Sequence, residues 1–388
     1  MTPGSPAAPE IGRNEAPLWY VLLGLALAGL GFFLPFSSAG VGTAEFALAL
    51  LILARPGGII RLAPWRDPVM AAGLLLLAYI AVHTLIVTGP SSNGGHAINK
   101  YQELLVAPLL LALLHDPRHR LVFFRCLIAG AVVLAAMYWA ALFEPRLYAL
   151  LGNRRISAGF ALAVCAFVLL VRADGQRRPW PARAISAFLA VTVLFAIDGR
   201  TGHVVLLVLA SCAAWLHSPR RWRWLAALAI PLLVLAVAMG SATVSSRVKE
   251  TVAGSQPADR SGALSSTGIR IELLRVARDL VIRHGLTGAG FANYSAVNEQ
   301  ATRERYPDGA SPQAHPQDVW VRAANPHNEY LMQLISGGVP ALVLFLTWLG
   351  LTFRHAARAS RPASAMLGGM TLAFATGCIF NSLLMDFV

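Results

Sequence analysis

The chain is 388 residues long, 56% hydrophobic and only 13% charged, with a mean hydropathy of +0.59. That composition excludes an ordinary soluble domain, and several apolar runs are long enough to cross a bilayer. The formal net charge of +13 would suit a nucleic-acid binder, but the arginines are scattered between apolar runs, so nucleic acid is not an expected partner.

The Pro- and Ala-rich residues 1–16 lead into an apolar run, 17–36, that is long for a signal h-region and reads as a retained span. Ten more runs follow, at about 39–55, 69–89, 101–115, 121–143, 156–172, 181–198, 201–217, 222–240, 327–353 and 364–387. Cys126, Cys165, Cys212 and Cys378 fall inside these runs with no zinc or disulfide spacing, and read as small apolar residues. With the N-terminus in the cytoplasm, the short cytoplasmic loops carry fifteen arginines, from Arg55 to Arg361. The short outer loops carry five basic residues: Lys100, Arg146, Arg154, Arg155 and Arg200. That bias sets the orientation.

The expected fold is all-α, a polytopic transmembrane bundle of 11–12 spans. Residues 1–240 hold the first nine spans, 241–326 form one large outer loop and 327–388 hold the C-terminal spans. Eleven spans leave the C-terminus outside, and twelve would return it. The outer loop is too long for an ordinary connection and should carry its own structure. Within it, apolar residues at 269, 273, 276, 277 and 280 predict an amphipathic helix at the membrane surface, and the stretch from Gly285 to Phe291 a stop and turn.

Where the loop meets the next span stands Asn325-Pro326-His327-Asn328-Glu329-Tyr330-Leu331. Capping accounts for part of it: Asn325 as N-cap, Pro326 at the first helical position and Glu329 against the dipole. Capping gives no reason for the imidazole, and a neutral imidazole can take a proton from an attacking hydroxyl. Glu45, Glu103, Asp198, Arg200, His203, His327, Glu329 and Asp386 all fall at outer helix ends, a mixed-sign set at one level. Arg200 lies in a tight turn between Gly199 and Gly202, where a guanidinium fork suits a phosphate. Arg270 opens the amphipathic helix, whose N-terminus also favours an anion, whereas Arg275 and Arg278 read as solvated charges. Asp386 is a candidate orienting partner or substrate contact, and Lys100, Arg154 and Asn328 are candidate substrate contacts.

Two motifs are set aside. Gly285-x-x-Gly288-x-Gly290 looks like a nucleotide loop but follows a helix and faces away from cytosolic nucleotides. The histidines have no metal-ligand spacing, so no cofactor or metal is expected.

The outer Arg-Thr-Gly turn at Arg200, the Gly-Ile-Arg at Arg270, the segment Gly288 to Tyr294 and His-Asn-Glu-Tyr-Leu at 327–331 together resemble the bacterial O-antigen ligase and polymerase superfamily. Leu274 stands where that pattern would have a tryptophan. The resemblance implies a glycosyltransferase of the inner membrane, independent of metal and nucleotide, acting on the periplasmic face. Its donor would be a glycan on undecaprenyl pyrophosphate, its acceptor lipid A-core, and its surroundings membrane lipid. It implies that His327, Arg200 and Arg270 are the essential residues. O-antigen polymerase and protein O-oligosaccharyltransferase are the near alternatives. A lipid-linked sugar flippase or transporter is the distant one, and would show inverted repeats or Gly/Pro-broken helices.

Overall fold

The computed structural model of the chain describes residues 17–57, 62–152, 154–239, 266–305, 323 and 325–386. The Ser/Gly-rich stretch 255–265 of the outer loop lies outside them. The helices are α1 Pro17–Phe33, α2 Ser38–Ala54, α3 Pro68–Thr88, α4 Ser92–Asn99, α5 Glu103–Leu113, α6 Pro117–Ala141, α7 Pro145–Gly152 and α8 Arg155–Ala173. They continue as α9 Trp180–Phe195, α10 Arg200–His217, α11 Arg223–Met239, α12 Ser266–His284, α13 Tyr294–Arg305, α14 Glu329–Arg358, α15 Arg361–Phe380 and α16 Leu383–Asp386. No strand occurs among the described residues.

The chain is a polytopic helical bundle, with a helix in each of the eleven expected runs. Six of them, α3, α6, α8, α10, α14 and α15, are long and apolar enough to cross a membrane, whereas α1, α2, α5 and α9 are apolar but shorter. The run 101–115 is the weakest: α5 has 11 residues, about 16 Å of helix, half the hydrocarbon core. Large apolar side chains face outward along the helices, as Leu53 and Ile86 do at 74% and 77% exposure. Three apolar clusters lie between the helices: one among α6, α8, α9 and α10, one uniting α3, α12, α14 and the chain end, and one among α1, α2 and α5.

The two ends of the bundle differ. At one, the Tyr20 hydroxyl donates to Asp116, Arg172 lies over the Phe124 ring, and Asp174 pairs with Arg183 and His217. At the other, Arg154 donates to the Phe36 carbonyl and Ser38 Oγ, Tyr148 to Asp198, Asn328 to the Ile379 carbonyl and Asn381 to Thr201. The helix ends read from the sequence as outer meet at this second end.

The apolar stripe of α12 is buried in protein rather than laid on the membrane surface. Leu273, Val276, Ala277 and Leu280 are no more than 1% exposed and pack with Met332, Ile335 and Phe345 of α14. The stripe found a helix to cover it, which is the cheaper way to remove its apolar area from water. Polar α13, which the sequence did not announce, is held beside α12 by Arg305 on Asp279 at 2.8 Å and Arg283 on Glu304.

What docks α12 is a break in α14. Gly338 has φ +72°, and Pro340 supplies no N–H for the Ser336 carbonyl. The turn after α12 meets the freed groups. Ala289 N–H donates to Ile335 O, Gly290 N–H to Ser336 O, and Val339 N–H to Gly285 O, each at 2.8 Å. The Tyr79 hydroxyl takes the Gly337 carbonyl at 2.6 Å. The backbones touch: a Cβ on Gly338 would sit 2.5 Å from Leu286 O, and one on Gly288 2.5 Å from Ser336 O. The Gly-rich turn set aside as a nucleotide-loop lookalike is thus the clasp of this break.

Gly338→Ala combines a disfavoured φ, costing roughly 1–3 kcal/mol, with a backbone clash. It is expected to lower the midpoint of thermal denaturation in detergent well below that of Pro340→Ala. Ser336 O already has its donor in Gly290, so removing the proline frees no group; equal midpoints for the two variants would contradict the clasp.

Candidate active site

His327 lies just before α14, in a left-handed backbone conformation with φ +51°. The sequence expectation for the cap is corrected here. Asn328, not Asn325, is the N-cap, its Oδ1 accepting from Leu331 N at 3.0 Å, and the helix begins at Glu329 rather than at Pro326. Asn325 instead accepts the His327 N–H at 2.9 Å, a tight side-chain turn that carries the chain through the left-handed residue. Glu329 is fully buried, accepting from Gln333 Nε2 at 2.7 Å and from Leu384 N at 3.2 Å. Asn328 Nδ2 donates to Ile379 O at 3.0 Å, and the Tyr330 hydroxyl to Ala375 O at 2.9 Å. The end of α15 is therefore strapped across the start of α14.

Arg200 is the first residue of α10 and Arg155 the first of α8. These helices cross at Gly159 and Gly202, whose Cα atoms are so close that a Cβ on Gly202 would meet Gly159 Cα at 2.9 Å. Close approach through small residues is how membrane helices pack. Here it sets two arginine-bearing N-termini side by side, one turn or less from the crossing. Arg270, in the first turn or so of α12, completes the group.

The charges act on one another. Burial lowers the proton affinity of the Arg270 guanidinium, and the Arg200 and then the Arg155 charge lower it further. Burial also holds the His327 imidazole below its ordinary pKa, the Arg270 charge adds to this, and Asn381 beside it works the other way. Arg270 thus lies within electrostatic reach of His327 and of Arg200 and Arg155, residues far apart in sequence. A neutral base next to crowded guanidinium groups at helix N-termini suits an anionic group joined to a centre that loses or accepts a bond.

Residues 185–346 match the family model for O-antigen ligase. Those residues belong to the O-antigen ligase family. The match runs from α9 into α14 and takes in Arg200, Arg270, the Gly-rich turn, His327 and the Gly338 break. No curated protein matches the chain.

The other expected residues divide. Arg154 is turned to the α1–α2 connection, tied to Phe36 O and Ser38 Oγ at 2.8 Å each, while its neighbour Arg155 lies within electrostatic reach of Arg270. Asn328 is occupied as cap and strap. Lys100 is half-buried at the end of α4, and Asp386 is the last residue of α16. His203 is folded back on its own turn, with Nδ1 2.8 Å from Gly199 O. Arg275 pairs with Glu272 on the exposed face of α12. Asn381 and Thr201, 0% and 1% exposed, are members the sequence reading passed over. The signal was a polar pair, Asn381-Ser382, inside the apolar run 364–387, where α15 in fact ends at Phe380.

Arg270→Gln removes the cation that disfavours a charged ring, so the pKa of His327 should rise. The pH midpoint for acylation of His327 by diethyl pyrocarbonate, read by peptide mass spectrometry, is expected to move to higher pH. Arg154→Gln should leave that midpoint in place and lower thermal stability instead.

Proposed function

We propose that the chain is an O-antigen ligase of the bacterial inner membrane. It would transfer a glycan from undecaprenyl pyrophosphate to a hydroxyl of lipid A-core on the periplasmic face. The observation that carries this reading is the placement of half-buried Arg270 beside other guanidinium groups and next to a low-pKa His327, within an O-antigen ligase family segment. A diphosphate would relieve the repulsion among the arginines, and its ester carbon is the atom a deprotonated hydroxyl attacks. The Gly/Pro break of α14, a feature expected of transporters, does not argue for transport, because it is filled by backbone from the 285–290 turn.

In the proposed step His327 takes the proton of the acceptor hydroxyl as its oxygen attacks the anomeric carbon from the face opposite the diphosphate. The new C–O bond forms, the bond to the diphosphate oxygen breaks, and its electron pair leaves with undecaprenyl pyrophosphate. Configuration inverts. Arg200 and Arg270 hold the diphosphate and balance the charge that grows on it. The energy resides in the donor, and no nucleotide is required.

His327→Ala should lower transfer by about 10²–10⁴-fold, and Arg200→Ala or Arg270→Ala by roughly 10²–10³-fold. Lysine should restore little at either arginine, since it lacks the planar fork. In cells making O-antigen, the His327→Ala variant should accumulate undecaprenyl-linked polymer above bare lipid A-core. Core bearing a single repeat unit would instead identify a polymerase, and normal capped lipopolysaccharide would remove both readings.

A further inference from the structure

Asn381 stands in the break between α15 and α16, fully buried, with extended backbone. Its Nδ2 donates to the hydroxyl of Thr201, the residue after Arg200 in the first turn of α10. That bond fixes which way the carboxamide faces and turns Oδ1 to the other side. Oδ1 is buried and has no hydrogen-bond partner among the described residues, and the same holds for Nδ1 of His327. An amide oxygen only accepts, and a neutral imidazole offers one N–H. Leaving either buried group unpaired costs about 1–3 kcal/mol. The two residues are held near each other by the straps already described: Asn328 on Ile379 O, and Glu329 on Leu384 N, one on each side of Asn381.

We propose that Asn381 is a positioning residue for His327, its Oδ1 accepting the Nδ1–H of the ring so that Nε2 keeps the lone pair. The inference rests on the function proposed above. A third group that orients the base is a recurrent need of such sites. The flipped amide would donate to Nδ1 and force the ring proton onto Nε2, which would then have no lone pair for the acceptor. In the structure the amide is not flipped: Nδ2 faces the Thr201 hydroxyl, which leaves Oδ1 for the ring. Asn381 also raises the proton affinity of the ring, as an acceptor at Nδ1 does and a donor would not. In the transfer step Nε2 gains the acceptor's proton, Nδ1 keeps its own, and the bond to Oδ1 strengthens as the ring becomes cationic. Because Thr201 adjoins Arg200, one carboxamide registers the base against the α10 N-terminus.

The charged groups around the ring are Arg270 on α12, Arg200 and Arg155 beyond it at the starts of α10 and α8, and Glu329 two residues along its own chain. They stay in place in the test, which varies Asn381 and Thr201 in the full chain in proteoliposomes. The substrates are an undecaprenyl pyrophosphate-linked glycan and lipid A-core. Asn381→Ala should lower kcat about 10²-fold with KM little changed. Asn381→Asp puts a carboxylate at Nδ1, so the acid limb of the kcat/KM profile should move to higher pH. The acylation midpoint of His327, which needs no transfer activity, should rise in Asn381→Asp and fall in Asn381→Ala. Should these variants fail to fold, Thr201→Val removes the anchor and should lower both kcat and the midpoint by less. Wild-type kcat and midpoint in Asn381→Ala or in Thr201→Val would overturn the assignment, as would an unmoved midpoint in Asn381→Asp. If His327→Ala transfers normally while the midpoints move as stated, the proposed function fails and the Asn381–His327 contact stands.

Discussion

The broken turn of α14 is the constraint on which the site depends. At Gly338 an apolar helix gives up its own hydrogen bonds, and within a bilayer each unmet backbone group costs several kcal/mol. The turn 285–290 meets most of them with two donors and one acceptor, and the Tyr79 hydroxyl takes the Gly337 carbonyl. The clasp needs glycine on both sides of the contact. Its consequence lies elsewhere: it fixes the end of α12 against α14. Burial of Leu273, Val276 and Leu280, worth roughly 1.5–3 kcal/mol apiece, then locks the helix down, and Arg270 arrives beside His327.

The second constraint is repulsive. Guanidinium groups drawn together at helix N-termini raise the energy of a folded chain, and the proton affinity of Arg270 is lowered first by burial and then by the Arg200 and Arg155 charges. The crossing of α8 and α10 at Gly159 and Gly202 imposes the arrangement whether or not an anion is present, since it is set by backbone contact. A site so built is organised before its ligand comes. The apolar packing of α12 offsets the repulsion, so on the proposed function a diphosphate would gain attraction without first ordering its cradle.

Much of the fold could be read from the sequence because membrane helices announce themselves by length and composition, and because arginine favours one side of the bilayer. Features that depend on interruption were harder. Gly337-Gly338-Val339-Pro340 lay within one apolar run, and helices in lipid tolerate such residues, so the break passed as continuous span. Asn381-Ser382 vanished into the run 364–387 for the same reason. α13 buries Tyr294, Asn298, Ala301 and Thr302, but two of these are polar, so no apolar period announced the helix. Within the site, the convergence of His327, Arg200 and Arg270 was expected from their order and topology. That Arg155 rather than Arg154 lies within electrostatic reach of Arg270 was not, because adjacent residues at a helix start point in different directions and only the neighbouring helices decide where each one faces. The two asparagines flanking His327 exchanged roles likewise: either could cap, and the left-handed residue between them gave the helix to Asn328.

That left-handed residue ties the geometry together. At φ +51° His327 carries strain of about 1–2 kcal/mol, offset in part by the Asn325 hydrogen bond at about 1 kcal/mol. Strain persists where surroundings over-determine a conformation, and here they do, through Asn325, the Asn328 cap and the α15 strap. The lengths agree with this placement. The 30 residues of α14 amount to about 45 Å and the 20 of α15 to about 30 Å, yet the two helices meet at both ends, so the break must take up the excess. From Gly338 to Arg358 the helix by itself matches a hydrocarbon core of about 30 Å. If that stretch fills the core, the turns before the break, and His327 ahead of them, fall at the lipid boundary. On the proposed function, a donor whose chain stays in the bilayer would present its diphosphate at that level, and His327 would need no deep pocket, only a fixed orientation.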